Sequence, residues 1–404
     1  MQTLILAAGE SSRFWPFSEI CHKSLLKVGN KTLLEQTLEG LKGSEIILIV
    51  NPKTQLSDGI AKNKNIKLVM QEEPKGMADA IIRSKSEVKG DFLVIMPYYI
   101  NIKSYLQKLN KVNAPAVAVK KYEEGDEKTH GIVKIEKNKI VEVREKEKFE
   151  GANYSIVGMY KLNKEIIDRL EKTQNSEYRF EDLLDEIAKT NGLNYFEAEG
   201  LPSLKYVSDL LLIKKFVYSN IKQKKKSTGP TKKNNVFIEN SVVLGKNVKI
   251  GNNVSIKGET YIGDNSFIGD NSLIRDSIIG ENTEIGFGTE IARSIIMDNT
   301  HIHSGFVGDS IIGQNCRIGA NFITGNRRID RKSIKIEIKE GYDTGLTRLG
   351  VIMGYNVKTG INTSVMPGTL IGNNSIIGSN TEIKGRVESN KVVYSKKENV
   401  EKDI

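Results

Sequence analysis

Residues 236–274 read VFIENSVVLGKNVKIGNNVSIKGETYIGDNSFIGDNSLI. Ile238, Leu244, Ile250, Ile256, Ile262 and Ile268 stand six apart, and Gly245, Gly251, Gly263 and Gly269 follow four of them directly. A six-residue period is neither the turn of a helix nor the alternation of an ordinary strand. It fits a parallel β-helix, in which each hexapeptide is one flat face and three faces close a coil. The apolar residue points inward and stacks on its equivalents above and below. Corners between faces need residues that tolerate left-handed backbone angles, which favours Gly and Asn. Gly-any-Asn recurs accordingly, as in GDN at 263–265 and GQN at 313–315. The phase slips and resumes at Ile279, Ile285 and Ile291, at Ile312 and Ile318, and at Met353, Thr359, Val365, Ile371, Ile377 and Ile383. Residues 326–350 break the period with a charged excursion, which predicts an arm or hairpin on a rigid scaffold.

Outside this region the chain changes character. Of its 36 glycines, 22 follow residue 236. Residues 1–219 instead alternate apolar runs (QTLILAA, EIILIV, IKLVM, DFLVIM, APAVAVK) with helical stretches (LLEQTLEGLK, MADAIIRSKSE, FEDLLDEIAK). Such alternation predicts an α/β domain with a mainly parallel sheet. Residues 220–235, with KQKKK at 222–226, read as a solvated linker. The solenoid is predicted over 236–388 and a tail over 389–404.

The 404 residues suffice for two or three domains. Cys21 and Cys316 form neither a disulfide framework nor a zinc spacing, which suits a reducing cytosol. No secretory leader is read at the start, and no run approaches the roughly 20 apolar residues that span a bilayer; a cytoplasmic chain without a membrane partner is predicted. The net charge of +10 comes mostly from lysines interleaved with acids. Trp15 is the only tryptophan, and no basic stripe carries stacking aromatics, so nucleic acid is not a predicted partner.

The first strand ends in LAAGESSRF. A small-residue turn at the C-terminal end of a sheet strand exposes N–H groups that can cradle phosphates. Arg13 and Lys23 nearby can neutralise a triphosphate and a leaving pyrophosphate. The stretch 6–33, LAAGESSRFWPFSEICHKSLLKVGNKTL, resembles the signature of sugar-1-phosphate nucleotidylyltransferases, with Ser11 for a usual Gly and His22 for a usual Pro. The resemblance implies a Rossmann-like nucleotidyltransferase domain. It implies that Leu6, Ala7, Ala8, Gly9, Gln71 and Gly76 hold the nucleotide, with Arg13 and Lys23 catalytic. Gly131, Glu145, Lys146, Asn153 and Glu181 would hold the sugar. It also implies Mg²⁺ where nucleotidyl transfer is active. The family's metal-binding Asp, however, falls at Tyr98, and a phenol is a poor ligand for a hard cation. The second ligand position aligns with Ser203, near Glu199 and Asp209, so no metal ligand is assigned.

Residues 301–332, HIHSGFVGDSIIGQNCRIGANFITGNRRIDRK, resemble the acetyltransferase segment of bifunctional nucleotidylyltransferase/acetyltransferases of archaeal type. The resemblance implies a left-handed β-helix assembling as a homotrimer, with acetyl-CoA as substrate. His303 matches the base that deprotonates a sugar amine attacking the thioester, work that suits imidazole. Asn326 matches a residue that polarises the thioester carbonyl or orients the amine, and Lys332 a contact to phosphate or substrate. Phe306 stands for the family's Tyr. From the residues alone, His301 and His303 also read as a metal pair or surface histidines, and Asn326 as a turn residue. The leading expectation is nucleotidyl transfer from NTP to a sugar 1-phosphate, acetyl transfer to an amino-sugar 1-phosphate, or both, of the type leading to UDP-N-acetylglucosamine. The alternatives are a single-activity enzyme joining glucose 1-phosphate to UTP or dTTP, and a catalytically degenerate binding subunit.

Overall fold

A computed structural model describes residues 1–396, apart from residues 53, 177, 225–231, 234 and 340. Part of the predicted linker and the end of the predicted tail therefore lie outside the described residues. The chain forms two compact units. One comprises Met1–Glu10 and Leu33–Ser203, the other Ser11–Thr32 and Leu204–Ile404.

In the first unit, Gln2–Ala7 lies mid-sheet, parallel to Ile46–Val50 on one side and Phe92–Ile95 on the other. Ile46–Val50 (IILIV) is buried throughout, as the continuous apolar run of a strand covered on both faces should be. All five predicted strands and all three predicted helices form. Two features add to the expectation. Tyr154–Leu162 runs antiparallel between Phe92–Ile95 and Ala116–Lys121, and Gly131–Glu136 pairs with Lys139–Glu145 as a hairpin. The sheet is therefore mixed rather than mainly parallel. The hairpin's charged residues (VKIEKNKIVEVRE) break up the apolar run that marks the other strands.

In the second unit, short parallel strands stack into three ladders. Ile238, Ile256, Ile274 and Ile291 sit at equivalent positions in successive coils. With their counterparts on the other faces they form one buried core. The corners are left-handed: Asn247, Asn253, Asn265 and Asn271 have φ of 56°, 55°, 60° and 60°. Their amides also bond from coil to coil, with Asn247 Nδ2 donating to Asn265 Oδ1 at 3.1 Å and Asn253 Nδ2 to Asn271 Oδ1 at 3.0 Å. The result is the hexapeptide solenoid expected of a left-handed β-helix. Gly286 illustrates how closely coils approach: a Cβ there would lie 2.1 Å from the His303 carbonyl oxygen.

One solenoid face is apolar on both sides. Its strands carry doublets: Tyr261–Ile262, Ile278–Ile279, Ile295–Ile296, Ile311–Ile312, Ile352–Met353 and Leu370–Ile371. The second residue of each enters the core. The first points outward, yet all six are 0% exposed. Fully burying one such side chain contributes roughly 1.5–3 kcal/mol.

Segment Ser11–Thr32 and the helix Leu210–Lys224 pack along this side of the solenoid. Lys27 Nζ pairs with Glu281 at 2.9 Å and Asp298 at 2.7 Å. The Phe17 and Tyr355 ring centroids are 5.3 Å apart. Asn373 Nδ2 donates to the Pro16 carbonyl at 2.7 Å and to Glu19 at 2.9 Å. From the helix, Lys214 and Tyr218 donate to the carbonyls of Asp276 and Ser241.

The predicted boundary at 219/220 thus differs from the division between compact units. The helix continues past 219 because its apolar stripe does: Leu210, Ile213, Val217 and Ile221 are all buried. Among the described residues, no helix is long and apolar enough to cross a membrane, and Cys21 and Cys316 are free thiols.

Candidate active sites

The strand carrying Leu6 and Ala7 delivers Ala8 and Gly9 to an open turn. Ala7 and Ala8 are buried, whereas Gly9 is exposed, with no atom within 4 Å of where a Cβ would lie. Ser11 takes φ 56° before the short turn Ser12–Phe14, and its Oγ accepts from the Lys23 backbone N–H at 3.1 Å. Arg13 is exposed, its guanidinium carbon 5.1 Å from the Tyr206 ring centroid. Lys23 Nζ donates to the Leu204 carbonyl at 2.8 Å. Burial pulls the Lys23 ammonium down to about 8, against the opposing pull of Asp209. Burial pushes the Asp209 carboxyl up, although it accepts from the backbone N–H groups of Lys205 and Tyr206 at 2.7 and 2.9 Å. His22, in the usual Pro position, bonds Ser24 Oγ at 2.6 Å, and burial pushes its pKa down to about 3, which keeps it neutral.

Within the first unit, Gln71 is buried, and its amide donates to the Gly76 carbonyl at 3.1 Å and Asp79 at 2.8 Å. It fixes the entry of helix Gly76–Arg83, where Gly76 has φ 88° and open space around it. Gly131 faces Glu145 across the hairpin, and a Cβ would lie 2.9 Å from the Glu145 carboxylate. Lys146 follows at φ 55°, its ammonium 5.0 Å from the Tyr178 ring centroid. Glu181 opens the helix Arg179–Asn191 and feels both Glu145 and Lys146. Gly131, Glu145, Lys146 and Glu181 are therefore brought together. Asn153 is engaged differently, since its side chain bonds both backbone groups of Ile135 at 2.9 and 3.2 Å.

Burial, reinforced by Glu145, pushes the Glu181 carboxyl up to about 7. The unfolded chain ionises this group at lower pH than the folded one. Its contribution to stability is therefore complete below pH 4.5 and lost as pH rises through 7. Glu181→Gln is expected to stabilise by about 1–2 kcal/mol at pH 8, discounted for partial exposure, and not at pH 4. Urea midpoints at the two pH values measure this; an equal gain at both would contradict it.

The Mg²⁺ ion implied by the resemblance does not fit the residues at its expected ligand positions. Tyr98 is 7% exposed and lies edge-on to Tyr99, ring centroids 5.4 Å apart. Ser203 is exposed. Mg²⁺ is usually held by one or two carboxylates together with substrate phosphates, and neither position supplies one. Among the described residues, no group of three or more His, Cys, Asp or Glu is placed to hold a metal.

On the solenoid, His303 is exposed, and its ring lies nearly parallel to that of His301, centroids 6.5 Å apart. Asn326 follows Asp276, Arg293 and Asp309 along one corner row. Its Nδ2 donates to Asp309 Oδ2 at 2.5 Å, and Arg293 holds the same carboxylate through two bonds of 2.6 and 2.7 Å. The Phe306 ring and the Asn326 amide both close on Gly308, whose Cβ would meet them at 2.6 and 2.8 Å. Lys332 is exposed on the arm, its backbone N–H bonded to Asp330 at 3.3 Å. The arm forms the hairpin Lys335–Ile336 with Tyr342–Asp343. Beside it lies a cavity of about 710 Å³, lined in part by Arg327, Arg328, Lys335, Glu337, Pro367 and Lys384.

Sequence reasoning missed Arg293 and Asp309. Their signal was available: on a corner row, where Gly or Asn is usual on the other rows, Asp276, Arg293 and Asp309 stand in successive coils.

An α/β unit with an open phosphate-type turn, joined to a hexapeptide solenoid bearing His303 and Asn326, defines a two-site transferase. Residues 2–200 match the nucleotidyl transferase family, and residues 230–292 match the GMPPB C-terminal domain. The chain is 37% identical over 409 residues to the bifunctional protein GlmU of Methanococcus maripaludis strain C7, and 34% identical over 418 residues to that of Methanococcus aeolicus, with 98% of each chain covered in both pairs. It is 28% identical over 383 residues to a bifunctional sugar-1-phosphate nucleotidylyltransferase/acetyltransferase of Sulfurisphaera tokodaii, covering 92% of this chain and 94% of that one. The chain belongs to the GlmU family of bifunctional nucleotidyltransferase/acetyltransferase enzymes.

Proposed function

We propose that this chain builds a nucleotide sugar of the UDP-N-acetylglucosamine type. It acetylates an amino-sugar 1-phosphate with acetyl-CoA, and joins a sugar 1-phosphate to the nucleotidyl group of an NTP with release of pyrophosphate. The observation that carries this reading is that the solenoid sets an exposed His303 on one corner row and an Asp309-anchored Asn326 on another.

In acetyl transfer, the sugar nitrogen attacks the thioester carbonyl, His303 accepts the proton, and the coenzyme A thiolate leaves. One Asn326 N–H is engaged by Asp309, which fixes the direction of its carbonyl oxygen. That oxygen is left to accept from a substrate N–H. Arg327, Lys335 and Lys384 offer charge to phosphate groups, while Arg328 is held by Asp330.

In nucleotidyl transfer, the phosphate oxygen of the sugar attacks the α-phosphorus and pyrophosphate departs. Backbone N–H groups around Gly9 cradle the phosphates, and Arg13 and Lys23 take up the developing charge. Glu145, Lys146, Glu181 and Gly131 hold the sugar phosphate. A cytosolic homotrimer belongs to the same reading: outward Phe237 and Ile323 on one free face, and Phe267 and Ile376 on another, remain exposed for contact between copies.

The test is a pair of assays on the full chain: thiol release from acetyl-CoA with glucosamine 1-phosphate, and pyrophosphate release from each NTP with N-acetylglucosamine 1-phosphate. Both products are expected. Pyrophosphate alone would leave a single-activity enzyme, and silence in both would refute the reading.

A further inference from the structure

Segment Ser11–Thr32, which carries Arg13 and Lys23, belongs to the same compact unit as the solenoid and its arm. Among the described residues, no carboxylate pairs with Arg13. Its guanidinium instead rests on the ring of Tyr206. Tyr206 stacks in turn on Tyr342, with centroids 3.4 Å apart and planes inclined by 6°. Two free aromatic rings prefer an offset or edge-on arrangement to direct overlap, so this overlap is set by the elements that carry the rings.

Each of those elements is fixed by its own bonds. Tyr342 sits in the arm hairpin, held by Ser333 Oγ donating to Asp343 at 2.8 Å and Thr344 Oγ1 donating to the Ile334 carbonyl at 2.7 Å. The base of the arm is closed by the Leu349 N–H donating to the Asn326 carbonyl at 2.9 Å. Tyr206 sits in the turn whose N–H groups bond Asp209, and whose Leu204 carbonyl accepts from Lys23. Both cations of the signature thus lean on the turn 204–209, and the arm braces that turn through one ring.

We propose that Tyr342 is a positioning residue for the nucleotide site: by stacking on Tyr206 it sets where Arg13 presents its guanidinium to the triphosphate. The proposal rests on the reading of Arg13 as a phosphate contact. A flat, doubly bonding guanidinium is sensitive to orientation as well as distance, so a ring that fixes its plane affects affinity without touching the ligand.

Calorimetric titration of the full chain with ATP, CTP, GTP, UTP and dTTP, carried on with the tightest binder, tests this. Tyr342→Ala is expected to weaken that nucleotide about fivefold to tenfold. Tyr342→Phe, which keeps the ring, should bind within about twofold of the native chain. Arg13→Gln should weaken binding at least as much as Tyr342→Ala, and the double variant no further than Arg13→Gln alone, because coupled residues are not additive. Native affinity in Tyr342→Ala beside weakened Arg13→Gln would overturn the proposal and leave the Arg13 reading intact. Full additivity in the double variant would reduce Tyr342 to a merely structural role and overturn it as well. Native affinity in Arg13→Gln would instead overturn the reading beneath it.

Discussion

His303→Ala should lower kcat for acetyl transfer by about 10²–10⁴-fold, the range associated with losing a positioned general base. The KM for acetyl-CoA should change far less, since a base acts on the amine proton. His301 is the internal control. The two rings are stacked, but His301 Nδ1 lies 3.7 Å from Glu284 on the preceding coil, whereas His303 stands exposed. His301→Ala should cost no more than about threefold, on the order of 0.6 kcal/mol. Thiol release under saturating acetyl-CoA measures both. Because the His303 side chain is exposed, its removal should leave the melting temperature unchanged. Equal losses in the two variants would assign the base wrongly, and a native rate in His303→Ala would remove it from the chemistry.

Ile295→Asp should destabilise by more than about 4 kcal/mol, because it leaves a carboxylate buried with no cation designed for it. Ile295 faces outward on the solenoid, between Ile278 and Ile311 in its ladder, and all three are 0% exposed. The comparison is Lys358→Asp. Lys358 also faces outward, on a different ladder, and is exposed. That change should stay within about 0.5 kcal/mol. Urea denaturation followed by circular dichroism measures both. Similar midpoint shifts would mean that the doublet face is not covered in solution. A shift confined to Ile295→Asp would show that the segment 11–32 and the helix 210–224 cover it.

The solenoid was readable because its constraint is strictly local. An inward apolar residue every six positions, with Asn or Gly at left-handed corners, needs no knowledge of distant chain. The strands of the first unit were readable for a similar reason. The covering of one solenoid face was not read, although the doublets Ile278–Ile279, Ile295–Ile296 and Ile311–Ile312 recur once per coil. A second apolar residue beside an inward one marks a strand covered on both sides, but nothing local says by what. The segment 11–32 was grouped with the strand that precedes it, yet its partners lie more than 240 residues away, such as Glu281 for Lys27 and Asn373 for Glu19. At the sites, residue types were legible and their neighbours were not. Asn326 was named, but the Asp309 and Arg293 that hold it were not. Asn153 was named for the sugar, but its amide serves the backbone of Ile135.

The segment 15–29 also measures the solenoid against a fixed length. Lys27 grips Glu281 and Asp298, Phe17 meets Tyr355, Pro16 and Glu19 hold Asn373, and Ser389 closes on Glu19. Each coil adds about 4.8 Å of height. Solenoids otherwise lengthen or shorten freely, because an inserted coil bonds to its neighbours as the old ones did. Here that freedom is divided. A coil added before Ser241 leaves every one of these contacts, and the helix bonds to Ser241 and Asp276, at its present spacing. One inserted between Asp298 and Tyr355 pulls the two ends of the segment's anchorage apart by a full step. The segment therefore acts as a ruler: the coil count between Glu281 and Ser389 is matched to the length of the same stretch that carries Arg13 and Lys23.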